Sequence, residues 1–444
     1  MRPTLNGRGF ATLLVMLVIA IASVVIVVVQ TAAYTEAMTG REALARVRAH
    51  WAARAGVEAT LASLEFNTQN PEIGDAFTLI GDMADVSEGE FSQSLYRVSH
   101  TADGKEILGP ADAHAKLNIN LMTRAQLLNL PLMSEDVADA ILDWIDPDDD
   151  TNPLGAEIGF YASLPYPYEP RNGPMRSIEE LELVAGVYPD FVRGEDANLN
   201  GLLDPEEDDG DASFPPDNAD GKLDAGWAAI LTASSIDDVM TPSGQARLDL
   251  RTASEGDVAG RADLDADQAK IVVDYAAQYE QAQMQDFIRS NLGTLVRRTP
   301  GTTQEQARAA GRSALTDEQI ARLLDEAMIG TPAETGPRPG KLNLNTAPAE
   351  VLQHLFPDDV ALADSILFER ESRPDGFTSL VDLLAIPSMS RGRLAGVYPL
   401  LTVRSNVFTV TCRGRDLRTG LEVEMIATLD RSSLPVVIKD LRVR

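Results

Sequence analysis

The strongest constraint on the fold is an uncharged apolar run close to the start of the chain. It extends from Phe10 to Gln30, reads FATLLVMLVIAIASVVIVVVQ and contains no Asp, Glu, Lys or Arg. About 20 apolar residues suffice for a helix to span a bilayer. The charges that precede it, Arg2 and Arg8, favour a cytoplasmic N-terminus. The sequence therefore predicts a single-pass protein of the inner membrane, with residues 10–30 in the bilayer and the bulk of the chain in the periplasm.

Two other interpretations of this run stay open at the level of sequence. Small residues such as Ala32 and Ala33 follow it, so it could be a signal peptide that is cleaved there. It could also be a plain signal anchor. The apolar core of a signal peptide usually spans roughly 7–15 residues, which is shorter than this run. A helix that stays in the mature protein is therefore the preferred prediction.

The next segment extends this helix out of the membrane. Residues 31–66 are rich in alanine, and their larger apolar residues recur at three- and four-residue steps. That spacing is typical of an amphipathic helix with one face packed on a globular body. We therefore expect one long N-terminal helix, half in the membrane and half outside it.

Strand patterns occur on both sides of a long middle segment. Within residues 67–110, Phe91–His100 alternates loosely and Asp103–Gly104 is a turn signal. Residues 401–444 resemble a three-stranded meander, in which Leu421, Val423 and Met425 alternate with glutamates. The sequence predicts an α+β fold. Its long N-terminal helix packs on an antiparallel sheet, and a large helical domain is inserted at residues 111–400.

The insertion contains an internal repeat. KLNINLMTRAQL begins at Lys116, KLNLNTAPAEVL begins at Lys341, and the looser RLDLRTASEGDV begins at Arg247. In the first copy Thr123 and Gln126 form a capping-box pattern, which marks the start of a helix. We therefore expect the motif to start helices in three packed modules, near residues 116–190, 247–330 and 341–400. A Pro/Gly-rich linker precedes the last one.

The charge of the chain argues against nucleic acid as a partner. With 68 acidic and 38 basic residues, the formal net charge is −30. Sequence-independent affinity for DNA comes from Lys and Arg, which displace the counterions of the phosphates. An acidic surface instead suits divalent cations or basic partners. The single cysteine, Cys412, excludes an intrachain disulfide and gives no compartment.

The most specific chemical motif is the stretch DANLNGLLDPEE. Its oxygen-bearing side chains match the ligand positions of a twelve-residue calcium loop, and Gly201 stands where that loop turns sharply. The predicted ligands are Asp196, Asn198, Asn200, Leu202 (through its backbone carbonyl), Asp204 and Glu207. The competing interpretation is a solvated acidic loop. The match at every variable position favours calcium.

Two weaker cation candidates lie nearby. NADGKLD offers Asn218, Asp220 and Asp224, but Pro216 and Trp227 stand where the first and last ligands belong. DPDDDTN concentrates acids after a predicted helix, and its candidate ligands are Asp146, Asp148 and Asp150. Because unpaired like charges repel, such a cluster is either a cation site or a solvated turn.

The junction Gly9–Phe10 resembles the class III leader of type IV pilins and type II secretion pseudopilins. The resemblance implies a leader at residues 1–9, cleavage between Gly9 and Phe10 by prepilin peptidase, and N-methylation of Phe10. Most members carry Glu at the fifth mature position, which here is Leu14. The K class of minor pseudopilins lacks that Glu, which suits a subunit at the filament tip. DWIDPDDDTNPLGAE, YPYEPRNGPMRSIEELELVAGV and KLNLNTAPAEVL are also similar to this class.

That resemblance implies a pilin-like body with an inserted sterile-alpha-motif-like domain that binds calcium. It implies a non-enzymatic subunit at the tip of the type II secretion pseudopilus, which nucleates and caps the filament. The implied partners are the other minor pseudopilins, the major pseudopilin, prepilin peptidase, the inner membrane and secreted proteins. The segment from about residue 228 to 340 is larger than the family pattern.

Two functions of other classes were weighed against it. A membrane-tethered protein for DNA uptake could use helix-hairpin-helix repeats, but such hairpins need basic residues near the turn, and here acids follow the helices. An exported enzyme is the other alternative. His50, His100, His114 and His354 show no metal-ligand spacing, and Cys412 falls within a strand pattern. We expect no catalysis.

Overall fold

The computed structural model describes residues 7–102, 105–212, 217–237, 240–311, 314–330 and 338–443. Its first element is a helix of 63 residues, Gly7–Gln69, named α1. From Phe10 onward this helix is long and apolar enough to cross a membrane, judged by length and composition. The side chains of its apolar run are exposed, as expected for a surface that faces lipid. The predicted long N-terminal helix is confirmed, and it ends three residues beyond the predicted residue 66.

The remaining described elements lie in two groups, strands at the two ends of the chain and short helices between them. The strands are β1 Glu88–Phe91, β2 Ser94–Ala102, β3 Lys105–Leu108, β4 Ala111–Asp112, β5 Leu117–Asn118, β6 Leu231–Thr232, β7 Leu248–Asp249, β8 Ala327–Met328, β9 Leu342–Asn343, β10 Leu401–Thr402, β11 Val407–Asp416, β12 Glu422–Asp430 and β13 Val437–Val443. The α-helices after α1 are α2 Thr78–Asp85, α3 Arg124–Leu127, α4 Glu135–Ile145, α5 Ile158–Tyr161, α6 Pro189–Arg193, α7 Glu255–Ala262, α8 Ala266–Gln278, α9 Gln285–Arg289, α10 Leu292–Arg298, α11 Gln304–Ala310, α12 Asp317–Glu326, α13 Ala349–Leu355, α14 Val360–Ser372 and α15 Arg391–Val397.

Strands from both ends of the chain form one antiparallel sheet. Its order is β1-β2-β11-β12-β13, while β3 pairs with β2 and β4 pairs with β11. The chain leaves this sheet after β4 and returns at β11, so the helical insertion interrupts a single sheet. The predicted α+β architecture is confirmed. The sheet resumes at Val407 and not at residue 401, because Leu401–Thr402 pairs with β9 inside the insertion.

Small residues let α1 lie close to the sheet. Ala49 and Ala53 of the helix face Gly414 of β11, where an added Cβ would overlap the carbonyl oxygen of Ala49. An added Cβ on Gly56 would likewise overlap the sulfur of Cys412. The larger apolar residues beside this contact form a core of helix and strand side chains, which includes Val57, Leu64, Val98, Phe408, Val410, Met425 and Leu429. Gly56 weakens the helix locally, and the close packing it permits is the reason for its position.

The strand predicted at Phe91–His100 is wrong in its extent. The structure has a hairpin there, with β1 and β2 joined at Ser92 and Gln93, which have φ of 51° and 65°. Neither residue is a usual left-handed turn residue, so the sequence carries no turn signal at this point. The helix α2 within residues 67–110 was also not predicted. The expected Asp103–Gly104 turn lies outside the described residues.

Three short parallel ladders divide the insertion into modules. Leu117 and Asn118 pair with Leu231 and Thr232 in the first ladder. Residues 248–249 pair with 327–328 in the second, and residues 342–343 pair with 401–402 in the third. Each ladder joins the repeated motif to the end of its own module. The looser middle copy is therefore a true third module, and the first module extends to residue 232 and not to 190.

The asparagines of the repeated motif close the modules. Asn118 Nδ2 donates to Ser235 Oγ at 2.9 Å, and Asn343 Nδ2 donates to Ser405 Oγ at 2.7 Å. Asn120 holds both backbone groups of Met175, accepting its N–H at 2.7 Å and donating to its carbonyl at 3.0 Å. The predicted capping box of Thr123 and Gln126 is present. The motif thus starts a helix as expected, but its asparagines fasten distant segments.

In the third module Asn345 holds three backbone groups. Its Oδ1 accepts the N–H of Phe377 at 2.8 Å, and its Nδ2 donates to the carbonyls of Phe377 at 2.9 Å and Val403 at 3.0 Å. Phe377 precedes a 3₁₀ helix at Leu380–Ala385, where an ordinary helix was predicted. The corresponding 3₁₀ helix of the first module is Ile178–Leu183.

We predict that Asn345→Ala lowers the free energy of unfolding of the insertion by roughly 2–4 kcal/mol, because buried backbone groups lose their partners. Urea unfolding followed by circular dichroism measures this. The control is Glu371→Ala, which changes an exposed residue of α14. A loss for Asn345→Ala no larger than that of the control would contradict the role of the motif.

Candidate cation sites

The loop from Asp196 to Glu207 has the hydrogen bonds of a folded cation loop. Asp196 Oδ2 accepts the N–H of Gly201 at 2.9 Å, and Gly201 has a φ of 71°. The two carboxylate oxygens of Glu207 accept the N–H groups of Ala197 at 2.9 Å and Asp204 at 3.1 Å. Asp196 and Glu207 are both buried. The first and last predicted ligands, Asp196 and Glu207, therefore both bind backbone groups of the loop.

The asparagines of this loop surround the third carboxylate. Asn198 and Asn200 donate through Nδ2 to Asp204 Oδ2 at 2.7 and 2.8 Å. Their Oδ1 atoms accept the N–H groups of Asn200 and Leu202. Burial raises the pKa of Asp196, while hydrogen bonds from Gly201 and Asn200 and the charge of Lys116 oppose that rise. The donor set, carboxylates with amide and carbonyl oxygens, is of the kind that suits calcium.

The second acidic loop uses residues that the sequence did not indicate. Gly221 donates its N–H to Asp208 Oδ1 at 3.0 Å, as Gly201 does to Asp196. The carboxylate of Glu195 accepts the N–H groups of Asn218 and Asp224, each at 3.0 Å. Asp208 and Glu195 thus occupy the first and last ligand positions of this loop. The spacing of the sequence had placed Pro216 and Trp227 at these positions.

Of the residues that sequence placed at those two ends, Trp227 is buried and donates through Nε1 to the carbonyl of Pro131 at 2.7 Å. Pro216 lies outside the described residues. The predicted Asn218 and Asp224 meet through an amide-to-carboxylate hydrogen bond of 2.8 Å. Asp220 is exposed and its Oδ1 accepts the N–H of Lys222 at 2.9 Å.

A third group of acids lies where α4 ends. Glu157 is 4% exposed, and among the described residues neither of its carboxylate oxygens has a hydrogen-bond partner. The same holds for Oδ2 of the fully buried Asp143, for Oδ1 of Asp146 and for Oδ1 of Asn172. We call Asp143, Asp146 and Glu157 the Glu157 cluster, and Asn172 binds the turn beside it through Asp148 and Asp149. Buried charges without donors are costly, so this arrangement fits a bound cation.

The charge state of Glu157 reflects this crowding. Burial, which is the largest cause, and the neighbouring charges of Asp143, Asp146 and Asp149 together raise its pKa to about 7. Burial likewise raises the pKa of Asp146, with the charges of Asp148 and Asp143 adding to it. Of the predicted ligands in this stretch, Asp146 belongs to the cluster, whereas Asp148 and Asp150 are exposed.

The three sites differ from a tightly preformed metal centre. Within the described ranges, no three His, Cys, Asp or Glu side chains stand close enough together to hold one ion. An ion at the Glu157 cluster would therefore draw on further oxygens, such as the amide of Asn172. In the Asp196 loop, the amide groups that now donate to Asp204 would have to turn their oxygens inward.

Sequence reasoning missed Asp143, Glu157, Glu195 and Asp208. A signal for Asp143 was present, because it lies on the apolar face of α4, where a solvated acid is not expected. In each of the pairs Glu195–Asp196 and Glu207–Asp208, the two neighbouring acids accept hydrogen bonds in different loops. That division depends on how the chain folds back, so no spacing rule finds it.

The predicted processing site lies at the start of α1. Phe10 and Leu14 are exposed on the helix, and Gly9 is part of it. Residues 1–6 of the expected leader lie outside the described part of the chain. Cys412 is buried in β11, and burial raises the pKa of its thiol to about 12, so the thiol stays protonated at neutral pH.

Two stretches of the chain match known family domains. Residues 103–194 and residues 342–404 each match the family described as "Type II secretion system (T2SS), protein K". Both matches are to this one family, and together they span 155 of the 444 residues. The first match contains the Glu157 cluster, and the second contains the third module. The two acidic loops and the middle module lie outside both matches.

The chain is also similar to one curated protein and to one solved structure. A type II secretion system protein K of Pectobacterium carotovorum subsp. carotovorum is 33% identical over 114 residues, which cover 20% of this chain. The match covers 35% of that relative, so the chain spans about a third of its length. A solved structure is titled "The Crystal Structure of the GspK-GspI-GspJ complex from enterotoxigenic Escherichia coli Type 2 Secretion System". It is similar with a TM-score of 0.45 and 12% identity, over 91% of this chain and 99% of that chain.

We predict that the ion-free protein loses stability as the pH rises through about 7, partly through Glu157. A carboxyl whose folded pKa lies above its ordinary value of 4.5 stabilises the fold fully below that value, and this stabilisation is lost as the pH passes the folded pKa. In chelator, the melting temperature should therefore fall as the pH rises from 4.5 to about 7, and less steeply for Glu157→Gln.

Differential scanning fluorimetry across this pH range measures the effect. The matched control is Glu169→Gln, which changes an exposed glutamate of the same module. Parallel curves for wild type and Glu157→Gln would show that Glu157 ionises as freely in the folded chain as in the unfolded one.

Proposed function

We propose that the protein is a minor pseudopilin at the tip of a type II secretion pseudopilus, where it helps to nucleate and cap the filament. The two protein K domains carry this proposal. The architecture supports it, since α1 provides an apolar helix for the membrane and for packing among subunits. The sheet then holds a helical head of nearly 300 residues between β4 and β11.

The proposed mechanism is mechanical. After removal of residues 1–9, Phe10 would carry the new N-methylated amine. In pilin-like proteins, a Glu at the fifth mature position is thought to pair with such an amine on a neighbouring subunit, and Leu14 cannot do so. A subunit without that acid suits a place that no other subunit precedes. The head would then cover the tip and prevent further addition above it.

The acidic head also fits proteins better than DNA. Where α4 ends, residues 146–150 include four aspartates, and three of them are exposed. A helical hairpin that binds phosphate needs backbone amides and basic groups at such a point. We therefore propose the other minor pseudopilins, the major pseudopilin and secreted proteins as partners, with prepilin peptidase acting on the leader.

Calcium is the cation we propose for the head. Its oxygen-only, flexible donor sets suit the Asp196 loop, the second acidic loop and the Glu157 cluster. A bound ion would supply the positive charge that Glu157 and Asp143 lack among the described side chains. It would also hold the segments that connect α4 with α5 and α6 with β6. The head would then be rigid only where calcium is abundant, as it is outside the cytoplasm.

We predict that the mature protein begins at Phe10. Mass spectrometry of the purified protein from cells with and without prepilin peptidase measures this. In the presence of the peptidase, the N-terminal peptide should start at Phe10 and carry one methyl group. In its absence the chain should keep residues 1–9. A mature chain that starts after Ala32 or Ala33 in both strains would overturn the pseudopilin assignment.

We predict that calcium raises the melting temperature of the protein, and that Asp196→Ala and Glu157→Gln each reduce this rise. A site filled at 100 times its dissociation constant adds about 2.7 kcal/mol to the folded state. The quantity to compare is the difference between calcium and chelator. Asp196→Ala also removes hydrogen bonds to Asn200 and Gly201, so some loss in chelator is expected.

The control for both variants is Asp211→Asn, which changes an exposed acid near the second loop. Isothermal titration calorimetry then counts the bound ions in each variant. If Asp196→Ala and Glu157→Gln show the same calcium-dependent rise and the same number of ions as the control, neither site holds calcium.

A further inference from the structure

The two edges of the sheet differ in how well they are protected. Among the described residues, β13 pairs only with β12, so one side of this seven-residue strand offers free backbone groups. Its apolar side chains are also exposed, with Val437 at 46%, Leu441 at 41% and Val443 at 52%. An exposed edge strand with apolar side chains is a template for another strand.

The opposite edge carries the usual protection. β1 has four residues, two of which are Glu88 and Glu90, and it ends in a tight turn. Glu88 also forms an ion pair with Arg97 of the adjacent strand at 3.4 Å. Short length and exposed charge are common ways in which proteins prevent pairing at an edge. β13 also carries Lys439, Asp440 and Arg442, but it is longer than β1 and keeps Leu441 and Val443 exposed among these charges.

The exposed side chains of β13 extend the core face of the sheet. Leu441 stands opposite Ala427 and Val443 opposite Met425, and both of these partners are buried under α1. Residues directly opposite in an antiparallel pair point to the same face. Leu441 and Val443 therefore lie on the helix side of the sheet, beyond the width that α1 covers.

A second apolar surface lies beside this edge. Arg442 of β13 forms an ion pair with Glu179 of the first module at 3.7 Å. One turn further along the same 3₁₀ helix, Leu183 is exposed, and its carbonyl accepts the hydroxyl of Tyr168 at 2.7 Å. Tyr166 is exposed two residues before Tyr168. The first module therefore contacts β13 on the face that carries Arg442, which is opposite to the face of Leu441 and Val443.

We propose that β13 receives a strand from another minor pseudopilin of the same filament, which extends the sheet and covers Leu441 and Val443. This rests on the proposed function and gives the partner of the tip subunit a defined place. Backbone hydrogen bonds would provide the affinity, and the apolar side chains the register. Leu183 and Tyr166 would contact the body of the same partner.

The charges favour a different subunit over a second copy of this chain. Two copies would bring together chains that each carry a formal net charge of −30. An antiparallel pairing of two β13 strands centred on Asp440 would also place this residue opposite itself. Like charges directly opposite are unfavourable in a sheet. Lys439 and Arg442 of β13 instead suit a strand that carries acids.

The test is co-purification of the full-length chain with the other minor pseudopilins of its secretion system, co-expressed and extracted in detergent. Leu441→Lys and Val443→Lys should each lower the amount of bound pseudopilin at least tenfold, with an unchanged melting temperature. The control is Phe368→Lys, which changes a residue of α14 that is 72% exposed, and should bind as wild type does.

Hydrogen exchange of the wild-type complex tests the same point without a substitution. Backbone amides of residues 437–443 should exchange more slowly in the complex than in the free chain. Equal binding by the lysine variants, unchanged exchange in β13, or a homodimer that the variants abolish would each overturn this proposal and leave the proposed function intact. A wild-type chain that binds none of the minor pseudopilins would contradict both.

Discussion

One carboxylate fastens both ends of the inserted head to the sheet. Asp112, the last residue of β4, accepts the hydroxyl of Ser405 at 2.5 Å, just before β11 begins, and that of Thr346 at 2.5 Å. Its other oxygen accepts the N–H of His114 at 2.8 Å. The exit from the sheet, the return to it and the start of the third module thus meet at one side chain. An ionised acceptor makes the stronger kind of hydrogen bond, so this junction fixes how the head sits.

The contacts around Asp112 continue into the first and third modules. His114 shares a hydrogen bond of 2.8 Å between its Nδ1 and the carbonyl of Lys341. Gly340 precedes that residue, and an added Cβ there would come within 2.6 Å of the ring of His114. Asn406 Nδ2 donates to the carbonyl of Ile236 at 3.2 Å, on the far side of the same junction. Modules one and three therefore meet at the sheet. The middle module lies between them in the sequence.

The sequence was sufficient where the signal is local. The apolar run of α1, the alternation of β12 and the Thr123 capping box depend on residues near one another, and all three are present in the structure. It failed where the fold brings distant residues together. Asp143 and Glu157 are separated by an acidic turn, and only the packing of α4 against α5 turns both inward. The hairpin at Ser92 was missed for a different reason. Ser92 and Gln93 are residue types that do not favour the left-handed conformation that they adopt here.

In the middle module, the ladder that joins the motif to the end of its module is kept, although neither asparagine is present. Asp249 stands in place of the first asparagine and accepts the N–H of Gly330 at 3.1 Å. Arg251 stands in place of the second and donates through Nε to the carbonyl of the same residue at 2.9 Å. An acid and a base thus bind both backbone groups of one residue just beyond β8, whereas the first asparagines of the other modules bind serine hydroxyls. The ladder between β7 and β8 forms all the same, so the middle copy is degenerate in sequence and intact in structure.

Buried acids of this chain differ in how many hydrogen-bond donors they receive. Asp286 is buried, and its oxygens accept from the hydroxyl of Tyr275 and from Arg289 and Arg298. Asp139 is buried on α4 and accepts from Arg124 and from the N–H of Leu154. Both are satisfied within the fold, whereas neither carboxylate oxygen of Glu157 has a hydrogen-bond partner among the described residues. This difference, seen among the described residues, supports the proposal that Glu157 faces a positive charge from outside the chain.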